Sequence, residues 1–201
     1  DKLGADLPKN QFAVSRQESV GIVGSGPAGL TAAFELCKAG FSVSVYEMTD
    51  RLGGTMVWGI PQFRLPSGII EEDIQRLQHQ CPGLTVHLNT ALGPNVSLDE
   101  LKERHDAVLL AIGAWWGKPM GVAGENHPKV EDGVSFLRRI NAGERPQMPE
   151  TVVVVGGGDV AMDACRAALR LPGCKTVKVV YRRGPDEIPA RKIELHHAEK
   201  E

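Results

Sequence analysis

The hydrophobic positions of this chain follow two patterns, one typical of strands and the other typical of helices. Short apolar runs predict strands, which cover residues 19–24, 41–47, 84–88, 107–112, 151–155 and 176–181. Apolar residues at every third or fourth position predict helices, which cover residues 27–39, 68–80, 159–171 and 190–201. Two shorter helices are expected to begin at the caps Ser97 and Asp132 and to run to Arg104 and Ile140.

Three of these strands are apolar enough to be expected in a buried position. They are Ser19–Gly24, Ala107–Ile112 and Thr151–Val155, the last with four consecutive valines. After the strand predicted at residues 41–47, residues 48–66 contain glycines and prolines without a clear period. A stretch of that length without periodicity is usually functional.

The order strand, glycine turn, helix, strand occurs twice, at residues 20–47 and 152–182. Alternating strands and helices predict an α/β fold with a parallel sheet. We therefore expect two Rossmann-like dinucleotide-binding units. The predicted boundaries are 1–18 for a linker or the tail of a preceding domain, 19–125 for the first unit, 126–150 for a crossover and 151–201 for a partial second unit.

The first glycine turn matches the pattern G-x-G-x-x-G. Its residues are Gly24, Ser25, Gly26, Pro27, Ala28 and Gly29. In such a turn the first glycine makes the tight bend, the second lets backbone approach a pyrophosphate, and the third allows close packing of helix and strand. Glu47 ends the second strand, at the spacing of a carboxylate that binds ribose hydroxyls. Glycine turns also occur for purely structural reasons, but the flanking strand, helix and Glu47 favour a dinucleotide site.

A second glycine-bearing turn, Arg51-Leu52-Gly53-Gly54, follows Glu47 directly. Gly53 and Gly54 would let backbone approach a diphosphate a second time, and Arg51 would add positive charge. Such a turn on its own is more often only a turn. Its position beside the first motif favours the binding interpretation.

The second glycine motif follows the valine-rich strand and has the form G-x-G-x-x-A. Its residues are Gly156, Gly157, Gly158, Asp159, Val160 and Ala161. The next strand ends at Arg182 and Arg183 rather than at a carboxylate. Guanidinium groups bind a 2′-phosphate that a carboxylate would repel, so this pair favours NADPH over NADH. The alternative is an exposed basic patch without a ligand.

Composition and charge exclude several other classes of function. The net charge is −2 without a long run of one sign, which gives no reason to expect a nucleic-acid partner. No run approaches the roughly 20 apolar residues that span a bilayer, so no membrane insertion is expected. The four cysteines include no C-x-x-C pair, which predicts reduced thiols, a cytoplasmic location and no metal ligands.

These motifs, together with the segment Gly59-Ile-Pro-Gln-Phe-Arg-Leu-Pro66, resemble the glutamate synthase small (beta) subunit family. The same residues are similar to the FAD/NADPH module of dihydropyrimidine dehydrogenase, and the resemblance covers about residues 19–201. It implies a flavoprotein in which the first unit binds FAD and the second, truncated unit binds NADPH. Electrons would pass from NADPH through FAD to iron–sulfur clusters or a partner subunit, with the clusters outside this chain.

The resemblance also implies roles for single residues. Arg64 would contact the flavin, Leu92 would lie at the adenine, Gly113 would lie near the FAD diphosphate, and Asp159 and Val160 would line the second dinucleotide. The alternatives are a surface ion pair for Arg64 and an ordinary core position for Leu92.

The implied enzyme is an NAD(P)H-dependent FAD oxidoreductase. We expect no catalytic side chain, because hydride transfer depends on two well-placed cofactor rings. A non-catalytic nucleotide-binding or scaffold module is the alternative, because the second unit is expected to be incomplete.

Overall fold

Every strand pairing within residues 10–201, the part of the chain that the computed structural model describes, is parallel, as the repeated strand and helix order predicts. The residues cluster into two units. The first extends to Val57 and resumes over Leu65–Gly113, and the second comprises Trp58–Arg64 and Ala114–Glu201. Residues 58–64, which lie within the predicted first unit in sequence, thus cluster with the second.

The first unit is built on a four-stranded sheet with the strand order β3-β2-β1-β4. Its strands are β1 (Ser19–Val23), β2 (Ser42–Tyr46), β3 (Leu84–His87) and β4 (Ala107–Leu110). Its helices are α1 (Pro27–Lys38), α3 (Ser67–Gln80) and α4 (Leu98–Arg104). The strand order reverses between β1 and β4, and open α/β sheets bind ligands beyond the carboxyl ends of the strands at such a point.

The core of the first unit lies between α1 and the two central strands. Ile22, Val43 and Val45 are at most 1% exposed, and they pack with Ala33 and Cys37 of α1. The two helix residues are four positions apart, so they lie on one face of α1. The buried strand β1 therefore carries the first glycine turn at its end.

The second unit is built on two parallel strands covered by α6. Its strands are β5 (Thr151–Val155) and β6 (Thr176–Val180). Its helices are α5 (Gly133–Asn141), α6 (Asp159–Leu169), α7 (Lys192–Lys200) and a 3-10 turn at Pro185–Glu187. Met162 of α6 is 1% exposed and packs with Ala161 and Ala190.

Of the three strands expected to be buried, β1 is buried, but β4 and β5 are largely exposed, and the prediction for those two was wrong. Leu110 of β4 is 50% exposed, and Val153 and Val155 of β5 are 56% and 60% exposed. The reason is their place in the sheets. In the described residues β4 has a strand partner on one side only, and helices cover only one face of the β5–β6 pair.

Two local features differ from the sequence expectation. The part of the predicted linker that is described, residues 10–18, lies on the first unit, where the Phe12 N–H donates to the Gln80 carbonyl at 2.8 Å. The segment 48–66 contains one helical turn, α2 (Thr55–Trp58), which is too short to produce a visible period. The remainder of the predicted linker, residues 1–9, lies outside the described residues.

Among the described residues, no helix has both the length and the apolar character needed to cross a membrane.

Candidate dinucleotide-binding sites

The first glycine turn has a conformation that requires two of its three glycines. Gly24 has a φ of 101°, and a Cβ there would lie 2.4 Å from the Ala111 carbonyl oxygen. A Cβ at Gly29 would lie 1.9 Å from the Gly24 carbonyl oxygen, which is the close packing of helix and strand that the motif predicts. A Cβ at Gly26 would meet no atom within 4 Å. The space beside Gly26 is therefore open to a ligand.

The R-x-G-G turn lies directly against the first glycine turn. The Gly53 N–H donates to the Ser25 carbonyl at 3.0 Å. A Cβ at Gly54, whose φ is 53°, would lie 2.7 Å from Gly26 Cα. The two turns thus form one continuous backbone surface. Arg51 beside them is partly exposed, with its Nε 3.6 Å from Asp50 Oδ1.

Glu47 is 5% exposed, and its carboxylate is held by hydrogen bonds from the protein itself. One oxygen accepts from the Ser25 N–H at 3.0 Å and from the Ser25 hydroxyl. The other accepts from the Thr49 N–H at 2.9 Å and from the Thr49 hydroxyl at 2.8 Å. A carboxylate has about four acceptor positions, and all of them are used here. Glu47 therefore fixes the shape of the turn, and its predicted contact with ribose stays a prediction.

The sequence contains only one local sign of this buried arrangement. Ser25 is 0% exposed, so its hydroxyl points away from the open space at Gly26, whereas Pro27 and Ala28 in the same turn are exposed. Thr49 was not among the predicted site residues. A hydroxyl residue two positions after a strand-ending glutamate is the only trace that the partnership leaves in the sequence.

Two further predicted residues lie on the first unit beyond its strands. Leu92 is half-buried and packs against the cluster of Val23, Tyr46, Val96 and Leu101. Its backbone pairs with that of Val96 in a single bridge. The position of Leu92 therefore fits the alternative of an ordinary core residue, although its backbone remains the predicted contact. Gly113 has a φ of 65°, and a Cβ there would meet no atom within 4 Å.

The second glycine turn repeats the first with one change. Gly156 has a φ of 140°, and a Cβ at Gly158 would meet no atom within 4 Å. Ala161 takes the place of the third glycine and is 9% exposed. A Cβ at Gly156 would lie 3.5 Å from the Ala161 Cβ, an ordinary contact, so this turn accommodates the extra methyl group. Val160, which precedes Ala161 in the motif, is 46% exposed at the start of α6.

The helices that follow the glycine turns have free N-termini, in contrast to two other helices. No side chain caps α1 at Gly26 or α6 at Gly158. By contrast, Ser97 caps α4 in a complete capping box, and the Asp132 carboxylate caps α5, as the sequence predicts. Uncapped N–H groups at a helix N-terminus attract anions such as phosphate. Both helix ends thus present uncapped backbone N–H groups of the kind that bind a diphosphate.

Arg182 and Arg183 follow β6 and are exposed. Neither guanidinium group has an ion-pair or hydrogen-bond partner within residues 10–201. The preceding Tyr181 ring lies against the glycine turn, because a Cβ at Gly157 would be 2.8 Å from Tyr181 Cδ2. The arginine pair therefore directly follows a residue that packs against the second glycine turn.

Asp159, in the first turn of α6, is bound by the segment that leads into α7. Its carboxylate accepts from the Arg191 N–H at 3.0 Å and from Arg191 Nε at 2.9 Å. One position earlier, the Ala190 N–H donates to the Gly157 carbonyl at 3.0 Å. Together these bonds hold residues 190–191 against the second glycine turn.

Arg64 lies in the second unit, where it forms an ion pair with each of two acidic side chains. Its partners are Asp163 of α6 and Glu194 of α7, the latter at 3.1 Å between Nη2 and Oε1. Burial opposes the charge, but the hydrogen bond and charge of Asp163 and the charge of Glu194 raise the pKa of Arg64. The alternative of a surface ion pair does not fit, since the Arg64 side chain is 15% exposed. Its predicted contact with the flavin is untested.

The acidic partners of Arg64 are themselves buried. Asp163 is 4% exposed and Glu194 is 7% exposed, and Arg166 pairs with Glu194 at 3.4 Å. Burial raises the pKa of Asp163, although Arg64 acts in the opposite direction. This cluster fixes residues 58–64 to α6 and α7. Arg64 and Asp163 are 99 positions apart, so no local pattern predicts their pairing.

Comparison with known proteins indicates the same class of protein as the geometry of the two glycine turns, a dinucleotide-binding oxidoreductase. The family model of the pyridine nucleotide-disulphide oxidoreductases matches residues 18–189. The small chain of glutamate synthase (NADPH) from Azospirillum brasilense is 37% identical, over 91% of this chain and 40% of that protein. The NAD-dependent dihydropyrimidine dehydrogenase subunit PreT of Escherichia coli strain K12 is also 37% identical, over 89% of this chain and 42% of that protein. Both resemblances noted in the sequence are thereby confirmed.

A solved structure supports the fold. FprA of Mycobacterium tuberculosis in complex with NADPH matches with a TM-score of 0.82 and 28% identity, over 92% of this chain and 48% of FprA. The predicted α/β fold with Rossmann-like units is confirmed. The chain spans less than half the length of each of these three proteins. It belongs to the pyridine nucleotide-disulphide oxidoreductase family.

Proposed function

We propose that this chain is the nucleotide-binding part of an NADPH-dependent flavin oxidoreductase, with FAD in the first unit and NADPH in the second. The observation that carries the proposal is the pair of glycine turns, each of which joins a parallel strand to a helix without a side-chain cap. A dinucleotide diphosphate fits such a turn, because the N–H groups point outward and no Cβ occupies the space. Gly26 and Gly158 supply that space.

In the first unit, the combined surface of the two glycine turns would hold the FAD diphosphate. Gly53 and Gly54 extend the surface of the first turn, and Arg51 adds a partly exposed positive charge beside it. Glu47 would act mainly by keeping the turn in shape through Ser25. Leu92 and Gly113 would contribute backbone rather than side-chain contacts.

In the second unit, Arg182 and Arg183 would bind the 2′-phosphate that distinguishes NADPH from NADH. Of the two relatives described above, one is named for NADPH and the other for NAD, and the structure of FprA contains NADPH, but none of these names says which residues select the nucleotide. The proposal therefore depends on chemistry: two exposed guanidinium groups without an acidic partner in residues 10–201 favour a phosphate dianion.

In this proposal the chain's own residues bind and orient the two cofactors, and none of these residues is required to transfer a proton. The chemistry that FAD would supply here, when bound, is the acceptance of a hydride from reduced nicotinamide. The turns at Gly24–Gly29 and Gly156–Ala161 would anchor the two dinucleotides at their diphosphates. Each ring would then be positioned by the anchored end of its own cofactor.

The electrons would leave through iron–sulfur clusters in another domain or in a partner subunit. The four cysteines of this chain are free thiols, and Cys37, Cys81 and Cys165 are buried without a metal-type spacing. The acceptor would therefore be supplied from elsewhere. Free thiols also fit a reducing compartment, and we place the protein in the cytoplasm.

Anaerobic titration of the intact protein with NADPH tests the proposal. The protein should be yellow as purified, and NADPH should bleach the flavin absorbance. A yellow protein that dithionite bleaches and NADPH does not would contradict the proposal. Binding of adenine nucleotides without any reduction would instead support a non-catalytic nucleotide-binding module.

Two substitutions assign the cofactors to their units. Gly26 and Gly158 both have negative φ and open space at the Cβ position, so Gly26→Leu and Gly158→Leu should fold. Gly26→Leu should abolish flavin binding. Gly158→Leu should remain yellow, lose bleaching by NADPH and retain bleaching by dithionite. The opposite pattern would reverse the assignment.

A further inference from the structure

A carboxylate lies at the N-terminus of α6, directly after the second glycine turn. Asp159 is the first residue of α6, directly after Gly158, and its side chain is 39% exposed. An acidic residue at a helix N-terminus stabilises the helix but repels an incoming anion. The first glycine turn has no acidic residue in the first turn of α1. The second turn therefore carries a charge that its proposed ligand would oppose.

Arg191 compensates for this charge. It approaches the Asp159 carboxylate with both its backbone N–H and its side-chain Nε, at 3.0 and 2.9 Å. These hydrogen bonds, led by the backbone one, lower the pKa of Asp159, so the carboxylate is ionised at neutral pH. The other charged groups nearby are Arg64, which acts on Asp159 through space, and Glu194, which lies 3.5 Å from Arg191 Nη2.

The same segment also fastens the backbone of the turn. The Ala190 N–H donates to the carbonyl of Gly157, the middle residue of the glycine turn. Upstream, the Tyr181 hydroxyl donates to the Glu187 carbonyl at 3.1 Å, and the Glu187 carboxylate accepts from the Gly184 N–H at 2.9 Å. The loop between β6 and α7 is thus tied to the glycine turn at its far end, next to Arg191.

We propose that Arg191 is a positioning residue for the second dinucleotide site, which neutralises Asp159 and holds the glycine turn so that a dinucleotide pyrophosphate meets an uncharged helix end. This inference rests on the proposed function, because it assumes a nicotinamide dinucleotide at that turn. It assigns Arg191 an indirect role through Asp159, which differs from a direct contact with phosphate. It also separates Arg191 from Arg182 and Arg183, which have no acidic partner within residues 10–201.

A positioning role through Asp159 and a direct contact with the 2′-phosphate predict different changes in nucleotide affinity. The pyrophosphate is common to NADP⁺ and NAD⁺, so loss of Arg191 should weaken both nucleotides by the same factor. Loss of a residue that binds the 2′-phosphate should weaken NADP⁺ alone. Because Arg191 acts through Asp159, removing the Asp159 carboxylate as well should restore the nucleotide affinity that is lost when the Arg191 guanidinium is removed.

Calorimetric titration of the intact, flavin-loaded protein with NADP⁺ and with NAD⁺ tests this. Arg191→Ala should weaken both nucleotides roughly tenfold, because it removes the guanidinium partner of the Asp159 carboxylate and leaves a negative charge that faces the pyrophosphate. Asp159→Asn should tighten both by about threefold. The double variant should bind within about threefold of the wild type. Lys192→Ala, which removes an exposed charge one position away, is the matched control and should leave both affinities unchanged.

Arg191→Lys provides a second route if the alanine variant is poorly folded. It keeps the positive charge and should bind both nucleotides more tightly than Arg191→Ala. A loss in Arg191→Ala that the double variant does not recover would overturn the inference in favour of a direct contact or of a purely structural role. A loss confined to NADP⁺ would make Arg191 a 2′-phosphate ligand. If the wild type bound neither nucleotide, the proposed function itself would fail.

Discussion

The two glycine turns have the same backbone arrangement, but the carboxylate beside each turn has different partners. In the first unit the acid is Glu47, which is on the adjacent strand end, 5% exposed and fully hydrogen-bonded to Ser25 and Thr49. In the second unit the acid is Asp159, which is on the helix itself, partly exposed and paired with Arg191. The first turn is therefore shaped from within its own βαβ unit. The second depends on a segment more than thirty residues away.

Replacing the third glycine should have the largest effect and should separate the turns most clearly. Gly29→Ala places a methyl group 1.9 Å from the Gly24 carbonyl oxygen, where only backbone could move. We expect a loss of about 3–5 kcal/mol in the free energy of unfolding, measured by urea denaturation. The second turn already has Ala161 at the equivalent position and therefore accommodates a methyl group there without loss of stability.

Gly158→Ala is the control for this experiment. Its Cβ enters open space, and it should change the free energy of unfolding by less than about 1 kcal/mol. Equal losses in the two variants would mean that the close packing at Gly29 does not distinguish the turns.

The sequence predicted most of the first unit because its determinants are local. The motif from Gly24 to Gly29, the buried strand before it and the capping box at Ser97 each specify structure within a few residues. The partnership of Ser25 with Glu47 joins residues 22 positions apart, so no local pattern encodes it. The strand bounds agree to within one or two residues for the same reason.

The second unit was harder to predict because its determinants are distant. The four valines of β5 have the composition of a buried strand, yet alternate side chains are exposed because one face of the sheet is uncovered in the described residues. Arg64 meets Asp163 across 99 positions, and this pairing draws residues 58–64 into the unit. The apolar composition of a strand indicates that its residues favour burial. Whether they are buried depends on which elements pack against the strand.

Removing the charge of each acid should give the next largest difference. Glu47→Gln replaces one acceptor oxygen with an NH₂ group that faces the donors of either Ser25 or Thr49. Because the site is buried, we expect a loss of about 2–4 kcal/mol in the free energy of unfolding. Asp159→Asn, at a partly exposed pair, should cost less than about 1 kcal/mol. Urea denaturation of both variants measures the contrast, and similar costs would contradict it.

Replacing the arginine pair tests whether the second unit selects its nucleotide. Arg182→Glu with Arg183→Ser should lower the ratio of kcat/KM for NADPH to that for NADH by about a hundredfold, because two charge-assisted contacts to the 2′-phosphate are lost. Steady-state reduction of an artificial acceptor measures both constants. Lys178→Ser, on β6, is the control for a general loss of positive charge. An unchanged ratio in the double variant would refute the role of the pair.

The smallest effect should come from pH, and in the first unit it should arise from His105. His105 lies between Tyr46 and Ser19, with Nε2 2.9 Å from the Tyr46 hydroxyl and Nδ1 3.2 Å from the Ser19 hydroxyl. Burial, with the charges of Arg104 and His87, lowers the pKa of His105 below its ordinary value of 6.5. The neutral ring is thus favoured in the folded protein. Its contribution to stability is complete above pH 6.5 and is lost as the pH falls through the lowered pKa.

His105→Gln removes this titration, while His79→Gln removes an exposed histidine on α3 as the control. Between about pH 7.5 and about pH 5.5, the free energy of unfolding should fall more in the wild type than in His105→Gln, by less than about 1 kcal/mol. His79→Gln should retain the pH dependence of the wild type. Because the His105 ring packs over Gly21 in β1, the strand that carries the first glycine turn, an acid-induced loss of flavin should accompany the change. If His105→Gln and the wild type depend equally on pH, the stability of the first turn does not depend on this histidine.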